Sequence, residues 1–104
     1  MKEYNERQLR VMRDLLQQWD SGKTNIANLI TNLEALLEAL ESVDEDWKRA
    51  FRRQWGVLEI EYAVTLDRGQ TSLSSDGIER ISRAVEEMRC LLAEQLQGDG
   101  QATD

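Results

Sequence analysis

The sequence predicts an all-α protein, a single-domain four-helix up-and-down bundle with a central third helix. Apolar residues recur at three- and four-residue steps along four stretches, proline is absent, and strand-like alternation is weak throughout. At 104 residues the chain has room for one hydrophobic core and one domain, burying about 65% of its unfolded surface. Short connections between consecutive helices favour antiparallel neighbours.

The first helix is expected over about 5–21. Asn5 with Gln8 forms an N-cap and capping-box pair, and Tyr4 with Leu9 suits a hydrophobic staple. Leu9, Met12, Leu15, Leu16 and Trp19 make one apolar stripe, and Gly22 supplies a left-handed residue to end it. Thr24 is the expected N-cap of a second helix over about 24–41, with Ile26, Leu29, Ile30, Leu33, Leu37 and Leu40 on its core face.

Ser42 with Glu45 reads as a capping box opening the third helix, about 43–68, which Asp67-Arg68-Gly69 closes. At about 100° per residue, Trp47, Phe51, Leu58, Tyr62 and Leu66 fall on one arc, with Ala50, Val57, Ile60 and Val64 on an adjoining one. So much apolar circumference suits a helix touching two or three others, or one holding a dimer together. The fourth helix, about 75–97, is capped by Ser74, Ser75 or Asp76 paired with Glu79; with Ser74 as cap, Leu73 and Ile78 form a staple. Ile78, Ile81, Val85, Met88, Leu92 and Leu96 line its inner face. Residues 98–104 lack apolar periodicity and read as a flexible C-terminal tail.

With 40% hydrophobic and 32% charged residues, the composition is that of a globular domain. Its apolar runs fall far short of the roughly 20 residues that span a bilayer. The N-terminal Met1-Lys2-Glu3-Tyr4-Asn5-Glu6 lacks the layout of a secretory signal and Cys90 has no cysteine to pair with, so a cytoplasmic location is expected. A net charge of -7 disfavours nucleic acid and anionic membranes as partners, since their phosphates would be repelled. It favours a basic protein.

The chain has no histidine, which removes the commonest general base and transition-metal ligand. It also lacks a phosphate-cradling glycine loop, a cysteine pair for zinc and the Glu-x-x-His pairs of di-iron bundles. No catalytic residue, metal ligand or cofactor is therefore assigned. Cys90 reads as filler at the edge of the last helix's apolar face. Asp44-Glu45-Asp46 could collect a hard cation, but the helix dipole accounts for acids at a helix start. Glu61 lies between the two apolar arcs of helix three, where a structural ion pair with Arg13 or Arg83 is favoured over a catalytic acid.

The strongest functional signal lies between Thr24 and Trp47, which holds six carboxylates (Glu34, Glu38, Glu41, Asp44, Glu45 and Asp46) and no lysine or arginine. Glu34, Glu38, Glu41 and Glu45 share one face while helical geometry persists, although like charges so spaced destabilise a helix by about 0.2–0.5 kcal/mol per pair. Neutralisation by Lys48, Arg49, Arg52 and Arg53 would make this a solvated face. Otherwise it is a docking surface for a cationic partner.

The run Trp47-x3-Phe51-x3-Trp55-x2-Leu58-Glu59-x2-Tyr62-Ala63-x2-Leu66-x2-Gly69, followed by Ile78, Ile81 and Val85, resembles small helical immunity proteins of bacterial toxin–immunity systems, including contact-dependent growth inhibition. The similarity covers roughly Asp44 to Leu96 and carries over no functional residue. It implies a non-enzymatic antagonist that binds one toxin, often a basic nuclease, and occludes its active or substrate surface; the chain itself is expected to be a monomer or homodimer when free. The alternative is a helical adaptor, secretion chaperone or regulator that dimerises through the exposed side of helix three. A carboxylate- or metal-dependent enzyme is the third class.

Overall fold

The computed structural model describes residues 2–70 and 72–101. Four helices follow one another, α1 (Lys2–Asp20), α2 (Ile26–Ala39), α3 (Glu45–Asp67) and α4 (Ser75–Gln101), and no strand occurs among the described residues. Contacts join α1 to α2, α2 to α3, α3 to α4 and α4 back to α1, while the diagonal pairs stay apart. The chain is thus an all-α four-helix bundle closed as a ring. Cross-helix bonds fix the directions: Asn5 at the start of α1 meets Glu41 just after α2, and Glu38 late in α2 meets Arg52 early in α3. Trp47 near the start of α3 meets Leu91 late in α4. Each pair runs antiparallel, as short loops require. The third helix, expected to be central, touches α2 and α4 and holds a corner like the others.

Leu9, Met12, Leu16, Leu29, Leu33, Leu37, Phe51, Leu58, Ile81, Met88 and Leu92 are fully buried, which is the inner stripe of every helix. Trp47 and Phe51 stack with ring centroids 5.4 Å apart. The two buried indoles find acceptors across helix boundaries, Trp47 Nε1 donating to the Leu91 carbonyl at 2.8 Å and Trp55 Nε1 to the Ile30 carbonyl at 2.9 Å. Each tryptophan therefore fixes the register of two helices as well as filling volume. No side-chain polar atom among the described residues is buried without a partner.

Helices α1 and α3 end alike. Gly22 and Gly69 take φ of 71° and 68°, Lys23 and Gln70 N–H donate back to the Gln18 and Thr65 carbonyls, and Gly22 and Gly69 N–H to those of Trp19 and Leu66. These are two complete Schellman motifs, which require the left-handed residue that glycine adopts without steric cost. Ser74 caps α4, its Oγ accepting from Gly77 N–H at 3.0 Å, so the Asp76 cap is not formed.

Other expected ends shift. Helix α1 begins at Lys2, so Asn5 lies inside it and caps nothing there, and the Tyr4–Leu9 staple is not made. Asn25, not Thr24, caps α2 by accepting from Asn28 N–H at 2.8 Å. Ser42 takes a left-handed φ of 57°, and Asp44 occupies the cap of α3 without a side-chain bond, so the Ser42–Glu45 box does not form. Helix α4 continues past the expected end at 97 to Gln101, and the remaining tail at 102–104 lies outside the described residues.

The two hairpins differ in length. Arg89 meets Asp20, the last residue of α1, and Trp55 meets Ile30, one turn into α2. The first turns of α4 and the last turns of α3 consequently overhang the α1–α2 end of the ring, within a molecule 51 Å long. Leu66 and Ile78, expected in the core, lie on this overhang at 56% and 47% exposure. Ile78 stands eleven residues, about three full turns, before Arg89 and so on the same side of α4, but α1 has already ended.

Candidate functional site: the α2–α3 acidic corner

All six candidate carboxylates are exposed, and they cluster where α2 turns into α3. Helix geometry relates only some of them. Glu34 and Glu38 are one turn apart on α2. The helix then stops at Ala39, with Leu40 extended at φ −66°, ψ 140°. Glu41 therefore leaves the shared helical face expected for it, and Asp44, Glu45 and Asp46 form the cap and first turn of α3.

Asn5 holds this turn in place from α1. Its Oδ1 accepts from Glu41 N–H at 2.9 Å and its Nδ2 donates to the Glu41 carbonyl. A side-chain amide offers one acceptor and two donors, so a single asparagine can satisfy both backbone groups of a residue that has just left a helix. With Leu40 buried beneath it, the turn is anchored at two points. The asparagine that looked like a helix cap is the clamp on the acidic turn. The short polar side chain was visible in the sequence, but its partner lies thirty-six positions away.

Two of the six carboxylates are held by cations. Arg52 pairs with Glu38, and Arg49 pairs with Asp46 at 3.3 Å within its own helix. Arg52 also lies over the Trp55 ring, 5.9 Å from its centroid, a contact worth about 0.5–1 kcal/mol at an exposed site. Glu38, Glu45, Lys48, Arg49 and Arg52 together line a shallow depression between the two helices. Among the described residues Glu34, Glu41, Asp44 and Glu45 make no ion pair. The corner is thus an acidic surface with a mixed-charge floor.

Glu61 is a separate matter. Its side chain is 12% exposed, and it takes a two-bond grip from Arg80 of α4, Nε at 2.7 Å and Nη2 at 3.0 Å. The expected partners Arg13 and Arg83 are not used; Arg83 bonds Glu79 instead. The Arg80 hydrogen bonds, helped by its charge and that of Arg68, hold the carboxyl below its ordinary pKa against the opposing effect of burial. Gly77 makes room for it: a Cβ there would stand 3.2 Å from Glu61 Oε1. Glu61 thus ties α3 to α4. Cys90, expected as filler, is exposed.

Among the described residues no group of three or more His, Cys, Asp or Glu is placed to hold a metal ion, and no helix is long and apolar enough to cross a membrane. No protein-family model, curated protein or solved structure matches this chain, so its functional reading rests on its own residues.

Proposed function

We propose that this protein is an immunity protein, which binds a cognate bacterial toxin and neutralises it by covering a cationic active or substrate-binding surface with the α2–α3 corner. The observation that carries this reading is the corner itself: six exposed carboxylates, four of them without an internal ion pair among the described residues, on the end of α2, the start of α3 and the turn between them that Asn5 clamps. A fixed turn loses little conformational freedom on docking, and carboxylates facing a basic surface accelerate encounter. The net charge of -7 adds long-range attraction toward the same class of partner. No bond-making step is assigned to any residue.

Protection and kinetics test it together. A toxin domain is expected to be encoded beside this gene, and cells producing it are expected to grow only when the protein is co-produced. With the purified toxin domain at low salt, the Glu34→Gln, Glu38→Gln, Glu41→Gln triple variant is expected to associate at least about tenfold more slowly, because rim charges act mainly on the association rate. An unchanged rate constant refutes docking at this corner.

A further inference from the structure

On α3 one outward stripe, centred on Ile60, is largely left to solvent. Nine residues at about 100° each place Ile60 on the side of α3 opposite the fully buried Phe51. Around it on the same outward arc lie Arg53, Gly56, Val57, Ala63, Val64 and Asp67, spaced by three and four as along a helix–helix seam. Ile60 is 61% exposed and Val64 38%, whereas Val57 at the edge of the stripe is half-buried against the core. Arg53 and Asp67 are exposed and make no ion pair among the described residues.

The stripe is complementary to itself when reversed. In a two-fold, antiparallel pairing of α3 with its copy centred on Ile60, residue 53 faces 67, 56 faces 64, and 57 faces 63. Arg53 then meets Asp67 at both ends, Gly56 meets Val64, Ala63 meets Val57, and the two Ile60 side chains meet on the axis. Charge matches opposite charge, and each small residue matches a branched one, as an isologous interface requires. Gly56 gives independent support. A glycine inside a helix costs about 1 kcal/mol relative to alanine, yet a Cβ at Gly56 would meet nothing within 4 Å in its own molecule. The fold of one chain gives no reason for a glycine there, whereas a close helix pair does.

We propose that the outer face of α3 is a homodimer interface, formed by antiparallel pairing of two α3 helices about Ile60. Because a single helix pair is small among protein interfaces and two chains of charge -7 repel at long range, the association is weak and concentration-dependent. It is independent of what binds at the acidic corner, which lies along the seam of α3 with α2.

Sedimentation equilibrium at physiological salt, up to about 1 mM protein, is expected to give a monomer–dimer equilibrium. Ile60→Asp, which alters only an exposed side chain, should raise the dissociation constant about a hundredfold, since symmetry places two carboxylates on one axis. Arg53→Asp or Asp67→Arg alone should weaken the dimer about tenfold, and the double exchange should restore it. In a Cys90→Ser background, Ile60→Cys should cross-link to a disulfide-joined dimer on mild oxidation. A protein that stays monomeric throughout overturns the proposal, as does a dimer that survives Ile60→Asp or is not restored by the double exchange.

Discussion

Asn5, Glu61 and Trp55 each act across a helix boundary. Glu61 allows the sharpest check there. Its folded pKa is lowered, so the stability it contributes is present above the ordinary glutamate pKa and disappears as the pH falls through the lowered folded value. Glu61→Gln is expected to cost about 1 kcal/mol at neutral pH, a modest figure because Arg80 is half in solvent. Denaturant midpoints should show the gap between parent and variant closing in acid, and a gap independent of pH would mean that Arg80 does not hold an ionised carboxylate. That Glu61 needs a partner was legible from its position between two apolar arcs. That the partner is Arg80 was not, because the choice among arginines on α4 depends on the register that Trp47 and Leu91 set.

At the scale of the element, periodicity located all four helices, and the two left-handed glycines located the ends of α1 and α3. The ends without glycine were less legible. Helix α2 stops at Ala39 because its chain turns extended at Leu40 and is received by Asn5, a tertiary cause that no local pattern announces. Leu66 and Ile78 fit their apolar stripes as well as any core residue. Only the mismatch in hairpin length leaves them uncovered. Helix α3 offers a test of its own. Gly56→Ala should stabilise the monomeric fold by about 0.5–1 kcal/mol, the ordinary helix gain where the added methyl meets no neighbour. Thermal unfolding of a dilute sample measures it, and a loss of stability would mean that Gly56 is needed within one chain.

The whole molecule has a buried stripe on every helix and opposes an acidic corner at the α2–α3 turn to an overhang at the other end. Composition made the charge and the absence of histidine legible. The division of the six carboxylates into two that are paired and four that make no ion pair among the described residues depended on where Arg49 and Arg52 come to lie. The proposed docking would depend on the molecule's electrostatic field, which salt screens over about 8–10 Å at physiological ionic strength. The proposed docking is tested by the association rate constant with a cognate toxin domain, measured across a salt series. A steep fall is expected as salt rises, with a shallower slope for the Glu34→Gln, Glu38→Gln, Glu41→Gln variant; a rate constant indifferent to salt, or equal slopes for the two proteins, would contradict docking through this corner.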